Sequence, residues 1–363
     1  MGDQTAIRLE VLPARLGDAL LVECLREQQP PWRMLVDGGP PDTWPLLEAR
    51  LRDDPRIDVA VITHIDSDHI GGMIPYLTSP LAASIGDVWF NGRTHLPDLP
   101  GTRSVAQGES VVSALLGTAQ LGAGAPAGTP LPWNTAFGGG PLDTGEEAGF
   151  VEVFVPDGPR ITLLSPTTKR LLALATAWYD AVDEATRGGD EPGPPDVPVP
   201  LGDLTALAAE ATSKDGSVPN GSSIALLVEH RGASLLLGAD AFGTVLGAGL
   251  AGVAAARGLT SLPVDAFKLP HHGSKGNVLQ ALLAVAPATH YVMSSNGDTF
   301  HHPDDQAVAR VILTAPGEPT LWFNYRNPRT ERWADPGLQH THGYSTRYPD
   351  DPARGVVLEL PAR

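Results

Sequence analysis

The chain has 363 residues, 42% of them hydrophobic, so it can bury a sizeable core and global disorder is excluded. Its formal net charge of -17 excludes a surface that holds long nucleic acid by general electrostatics, because a phosphate backbone is repelled by it. A single cysteine, Cys24, excludes an intrachain disulfide, and no run approaches the roughly 18 uninterrupted apolar residues of a membrane span.

The opening residues Met1-Gly2-Asp3-Gln4-Thr5 carry no basic segment followed by an apolar one, so no signal peptide is expected and the chain reads as soluble and cytoplasmic. Ile7 to Val11 alternates apolar and polar as a half-buried strand does. Asp18 to Leu25 reads as a second strand, with Cys24 as a buried structural thiol, and Arg33 to Asp37 as a third, stopped by Gly38-Gly39-Pro40. A helix is expected over residues 43–52. The continuous apolar run from Asp58 to Ile62 predicts a strand buried on both faces. Asp87 to Phe90 is another short strand, and residues 98–148 read as loop. Within that loop Gly122 to Pro126 looks like a dinucleotide-binding turn, but it follows no strand and opens no helix, so that reading is rejected. Strands resume at 151–155 and 161–164, a helix is expected at 167–185, and the breaker-rich run Asp190 to Asp196 reads as a surface loop. In the second half, 223–229 and 233–237 form a hairpin turning at Arg231-Gly232. A buried strand runs from Val264 to Leu269. Residues 277–286 and 303–314 read as helices, and 355–360 as a strand.

Two halves, each a sheet followed by helices, predict an α/β (α+β) protein with a four-layer αββα sandwich. One domain is expected over 1–363, with insertions near 98–148 and 186–219 and a C-terminal extension near 316–363.

The chemistry is concentrated in Thr63-His64-Ile65-Asp66-Ser67-Asp68-His69. A divalent cation needs lone pairs converging at about 2.0–2.2 Å, and a tight loop can present several from one segment. His64, Asp66, Asp68 and His69 are four ligand-type side chains directly after a buried strand, and Gly71-Gly72 lets backbone pack close behind them. A polar turn with Asp68 as helix cap is the plain alternative, and four ligand-type residues so close together argue against it.

This segment resembles the His-x-His-x-Asp-His signature of the metallo-β-lactamase superfamily. The chain is similar, more closely, to the metallo-β-lactamase domain of ComEC-type DNA-uptake proteins and its free-standing relatives. The matching blocks are Gly17-Asp18-Ala19, Asp37-Gly38-Gly39, Thr63 to Gly72, Asn220-Gly221-Ser222-Ser223, Leu237-Gly238-Ala239-Asp240, Lys268 to Ser274 and His302-Pro303. The resemblance implies that His64 and Asp66 bind a first metal, that Asp68 and His69 bind a second, and that Asp240 bridges the two. One of His271 and His272 would complete the second site, and the sequence leaves open which. Asp18 and Asp37 would orient ligating histidines, although ordinary turn aspartates look the same. Two departures stand out. Asp66 replaces the second histidine of the signature, which makes the first site richer in oxygen and shifts preference from zinc toward manganese or iron. The family's third histidine has one candidate between residues 70 and 229, His95, with a surface-loop role as its alternative.

Two divalent ions, zinc or manganese with iron a further option, would hold a bridging hydroxide that attacks the substrate, with Asp68 central to turnover and His302 donating a proton to the leaving group. Asn220, Ser222, Lys268 and Ser274 are the candidate substrate contacts. The expected activity is hydrolysis of a small or short phosphodiester, as a phosphodiesterase or nuclease. An ester, lactone or β-lactam hydrolase on the same ions is the second reading, and a non-catalytic binding module of the same fold the third. No membrane and no strong general nucleic-acid binding is expected. His340 and His342 read as an exposed pair rather than as ligands.

Overall fold

A computed structural model describes residues 5–96, 113, 130–187 and 200–363. Strand alternation sorts side chains into two different cores. Along Trp32–Val36, Met34 and Val36 face a core shared by the two sheets, whereas Leu35 faces helices outside. Along Ala233–Leu237, Leu235 and Leu237 face the shared core, whereas Leu236 faces helices on the opposite side. Residues two apart share a face, so each strand feeds two layers and the chain closes as helix–sheet–sheet–helix.

The strands in chain order are β1 Thr5–Val11, β2 Leu20–Cys24, β3 Trp32–Val36, β4 Ile57–Val61, β5 Ile85–Trp89, β6 Val151–Phe154, β7 Arg160–Ser165, β8 Ala225–His230, β9 Ala233–Leu237, β10 Val264–Lys268, β11 Ala288–Met293, β12 Thr320–Phe323, β13 Ser345–Arg347 and β14 Val356–Pro361. The first sheet has the order β14-β1-β2-β3-β4-β5 and the second β13-β12-β11-β10-β9-β8-β7-β6. Antiparallel pairing gives way to parallel pairing at β3–β4 in the first sheet and at β9–β10 in the second. Leu47, Leu51, Met73, Tyr76, Leu171 and Trp178 cover the first sheet from helices 44–51, 73–77 and 168–187. Helices 243–256, 280–285 and 305–314 cover the second through Leu246, Leu250, Val253, Leu282, Val308 and Ile312.

The αββα expectation holds, with differences in detail. The alternation reading gave no strand at β11 or β12 and no helix at Gly243–Ala256. Asp18 and Ala19 precede β2 instead of opening it. Residues 316–363 supply β12, β13 and β14, so the expected extension is built into both sheets, with β14 paired antiparallel to β1. Of the expected loop over 98–148, residues 98–112 and 114–129 lie outside the described residues, as do Gly122 to Pro126 and Asp190 to Asp196. Among the described residues no helix is long and apolar enough to cross a membrane.

This architecture gathers the chemistry at one end. The loop carrying His64 leaves the carboxyl end of β4, Asp37 follows β3, Asp240 follows β9 and His271-His272 follow β10. Three backbone segments meet there with no room for side chains between them. Gly38 N–H donates to the His69 carbonyl at 2.9 Å, Gly72 N–H to the Gly39 carbonyl at 2.8 Å and Asp18 N–H to the Asp68 carbonyl at 3.3 Å. A Cβ at Gly17 would overlap the Asp68 carbonyl oxygen, and one at Gly72 would overlap the Gly38 carbonyl oxygen. Glycine is required at both places by close approach, independent of φ.

Gly17→Ala is therefore expected to push the Asp68 backbone away and to destabilise the protein by at least about 2 kcal/mol in urea unfolding. An unchanged midpoint would show that the loops do not pack this tightly.

Candidate metal centre

Asp37 is fully buried and has φ of 59°, a left-handed conformation that Asp tolerates better than most residues. Its carboxylate accepts from Thr63 N at 2.8 Å, from Thr63 Oγ1 at 2.7 Å and from His69 Nδ1 at 2.8 Å. One side chain thus fixes the start of the His64 loop and the ring orientation of His69. Because Nδ1 of His69 gives its proton to Asp37, the neutral ring turns a lone pair at Nε2 into the site.

His272 is held in a parallel way. Its Nδ1 lies 2.9 Å from Ser294 Oγ and 3.4 Å from Asp18 Oδ1. The other Asp18 oxygen accepts from Lys268 Nζ at 2.5 Å, and all three of these side chains are buried. The backbone at His271 and His272 is left-handed at both residues, with φ of 48° and 51°. Two consecutive non-glycine residues in that region cost about 1–3 kcal/mol each, a strain characteristic of functional turns.

The result is a set of inward donors. His69 Nε2 lies 3.6 Å from Asp68 Oδ2 and 3.4 Å from Asp240 Oδ1, while His272 Nε2 lies 3.5 Å and 3.6 Å from the same two oxygens. His69 Nε2, His272 Nε2 and Asp240 Oδ1 are buried without a hydrogen-bond partner. Orphaned buried polar atoms are costly, and three aimed at one point fit the donor set of a divalent cation. Donors about 2.0–2.2 Å from a common ion sit roughly 3.3–3.6 Å apart, which matches these spacings. Asp18, His69, Asp240 and His272 also form a group whose ligand atoms lie within 4.8 Å of one another. Asp18 and Asp68 thus compete for the fourth place. Asp68 faces the two free Nε2 atoms, whereas Asp18 faces the far nitrogen of His272 and is tied to Lys268, so Asp68 is the better donor.

Electrostatics agrees. Burial alone would depress His69, yet Asp240, Asp68 and Asp37 raise its pKa well above the usual 6.5. His272 is raised too, against burial, by Asp240 and Asp18. Burial would raise the carboxyls of Asp68 and Asp240, but the neighbouring histidines hold both below the ordinary range. Without a cation the pocket takes up protons; with one, the same carboxylates have their counter-charge.

A second group lies beside the first. The other Asp240 oxygen, Oδ2, is 3.6 Å from His271 Nε2, so Asp240 stands between the two histidines of the pair. His271 Nδ1 sits 3.1 Å from Asn277 Oδ1 and 3.3 Å from Asp215 Oδ2, and Asn220 Nδ2 donates to that same Asp215 oxygen at 2.9 Å. Burial would lower His271, but Asp240 and Asp215 push it up to about 9. On the far side, His64 Nε2 lies 3.4 Å from Asp66 Oδ2 and is buried without a hydrogen bond, and its ring centre is 4.2 Å from that of His69.

The structure therefore brings together His64, Asp66, Asp68, His69, Asp240, His271 and His272, with Asp18 and Asp37 behind them. Other candidates fall elsewhere. His95 packs edge-on against Trp133 with ring centres 4.3 Å apart, and no described contact joins it to the cluster. His302 stands next to His271, ring centres 5.1 Å apart, but burial keeps its pKa below the usual value despite Asp304 at 3.5 Å. Lys268, a candidate substrate contact, is fully buried on Asp18 and has no surface to offer. Ser222 gives its hydroxyl to the Pro219 carbonyl, and Ser274 Oγ accepts the Gly276 amide, so both are turn residues. Asn220 acts on Asp215 instead of reaching solvent. Asp215, Asn277 and Ser294 were not among the sequence candidates; the first two lie in turns and Ser294 directly follows β11, and nothing local marks any of them.

Residues 33–108 match the family model described as Metallo-beta-lactamase superfamily. No curated protein matches the chain. Among solved structures, a mutant of the CmlA beta-hydroxylase is similar at 13% identity and a TM-score of 0.39, over 98% of this chain and 54% of that one. This chain thus spans about half the length of that protein. The Zn(2+)-bound PqqB from Methylobacterium extorquens is similar at 12% identity and a TM-score of 0.39, over 97% of this chain and 100% of that one. Neither likeness bears on activity.

The raised histidines set a pH dependence for the metal-free protein. Their folded pKa values exceed the unfolded 6.5, so their stabilisation is present below pH 6.5 and is lost as pH rises through the folded values, about 9 for His271. Denaturant unfolding of chelator-treated protein should show falling stability between pH 6.5 and 9, and added Mn²⁺ or Zn²⁺ should stabilise more at pH 8.5 than at pH 6. Metal-free stability that rises across this interval would contradict the arrangement.

Proposed function

We propose that the chain is a metal-dependent hydrolase acting on a small or short phosphodiester. The observation that carries the metal dependence is the convergence of His69 Nε2, His272 Nε2 and Asp240 Oδ1, all buried and unpartnered, with Asp68 Oδ2 completing the set. His69, His272, Asp68 and Asp240 would hold the tighter ion, and His64 with Asp66 would hold a second on the flank nearer solvent. A divalent cation bound there supplies a Lewis acid and lowers the pKa of water, so hydrolysis needs no serine or cysteine nucleophile.

The remaining roles belong to the chain. Asp37 and Asp18 orient His69 and His272. Lys268 keeps Asp18 ionised in a dry setting, where breaking such a pair costs about 3–5 kcal/mol. His271, with a side chain 23% exposed at the rim, is better placed than the buried His302 to meet the departing oxygen of a substrate. Its Nδ1 is anchored by Asn277 and Asp215, which leaves Nε2 on the substrate side.

A phosphodiester is favoured over a carboxylic ester or lactam for two reasons. The motif blocks resemble ComEC-type domains. The carboxylate-rich donor set partly neutralises the ions and leaves a weaker Lewis acid, one that still suits an anionic group clamped on two sides. The charge of -17 limits the length of the substrate, since a long polyanion must cross an acidic surface.

The test is a hydrolysis panel on Mn²⁺- and Zn²⁺-loaded protein with bis-p-nitrophenyl phosphate, short oligonucleotides, cyclic dinucleotides, a lactone and a chromogenic lactam. Cleavage of phosphodiesters is expected, with Asp68→Ala lowering turnover more than about a hundredfold, beyond the usual cost of losing an outer-shell partner. Efficient cleavage of the lactone or lactam with every phosphodiester untouched would transfer the assignment to carboxylic substrates.

A further inference from the structure

We propose that Arg170 receives a second phosphoryl group of the substrate, one that is not cleaved; this rests on the phosphodiesterase reading. An anionic substrate approaching a carboxylate-rich centre gains from a cation of the protein's own, and the two lysines beside the motif blocks do not provide one. Lys268 is buried against Asp18. Lys275 is half-buried and lies 3.8 Å from Asp304, with which it pairs.

Arg170 is different. It lies in the first turn of helix Thr168–Arg187 and is half-buried, with its guanidinium 4.5 Å above the Phe242 ring. Among the described residues its guanidinium has no carboxylate partner, although most other arginines near it in burial, such as Arg50, Arg160 and Arg332, are paired with one. Stacking on an aromatic face fixes the plane of a guanidinium while leaving its N–H edge free, the edge that matches phosphate in a bidentate way.

Its position ties it to the centre. Phe242 follows Asp240 by two residues. Gly221, whose missing side chain leaves space for the ring and for the Arg170 stem, follows Asn220. A Cβ at Gly221 would stand 3.1 Å from the Phe242 ring and 3.4 Å from Arg170 Cδ. Asn220 in turn contacts Asp215 and lies 3.5 Å from His271 Nδ1. Arg170 therefore rests on two segments that each carry a residue of the site, one reaching His271 and the other reaching Asp240.

This placement predicts a preference for substrates with a phosphate beyond the scissile diester, such as a dinucleotide with a terminal phosphate. The test uses binding and not turnover. Titration calorimetry on the Mn²⁺-loaded full chain compares an uncleavable methylphosphonate dinucleotide with and without a terminal phosphate. Wild type should bind the phosphorylated form about tenfold more tightly, the scale of one charge-assisted contact. Arg170→Gln should remove that preference and leave the unphosphorylated ligand unchanged, and Arg170→Lys, which keeps the charge without the planar fork, should retain part of it. A wild type that binds both forms alike, or an R170Q protein that keeps the preference, overturns the proposal. An intact preference in a protein that cleaves no phosphodiester would instead overturn the phosphodiesterase reading and leave the anion site standing.

Discussion

Four carboxylates at one end of the sandwich, three of them buried and Asp68 partly so, set the terms for everything around them. Asp18, Asp37, Asp68 and Asp240 share that end with one buried lysine, Lys268. Ionised groups are removed from water only where opposite charge or several hydrogen bonds replace it. Asp37 meets the condition with three donors, and Asp18 meets it with Lys268. Among the described residues Asp68 and Asp240 have only imidazoles as positively chargeable neighbours, a set that a divalent cation between His69 and His272 would complete.

The local backbone follows from that demand. Bringing donors from the ends of β3, β4, β9 and β10 to one point forces loops to touch, so Gly17 and Gly72 lie against carbonyl oxygens. It also forces left-handed turns at Asp37, His271 and His272, where no glycine relieves them. Such strain persists only where the surroundings over-determine it, and the strands that hold these loops are buried on both faces. The ring orientations then follow, because each inward histidine is fixed through its other nitrogen.

Much of this was legible in the sequence where the signal is local. His64 to His69 stands out because four ligand-type residues crowd together after an apolar strand, and β3, β4, β9 and β10 show in their apolar runs. What was not legible is mostly set at a distance. Lys268 reads as a surface cation at a strand end, and only Asp18, 250 residues away in sequence, makes it a buried one. Helix 243–256 carries four glycines, which disguise its period, and one of them, Gly249, lies against the Leu164 carbonyl, where a Cβ would come within 2.9 Å. His271 and His272 are chemically equal in the sequence, and two left-handed residues in succession send one to the Asp68 side and the other to Asp215.

The arrangement of this end of the sandwich calls for a cation seated between His69 and His272. Anomalous diffraction at the manganese edge, from crystals grown with Mn²⁺, tests this most directly. A strong peak is expected within about 2.0–2.4 Å of His69 Nε2, His272 Nε2, Asp68 Oδ2 and Asp240 Oδ1 together, with a weaker one beside His64 and Asp66. A difference map with no peak at that position, or a direct hydrogen bond closing His69 onto Asp240 with the metal elsewhere, would contradict it.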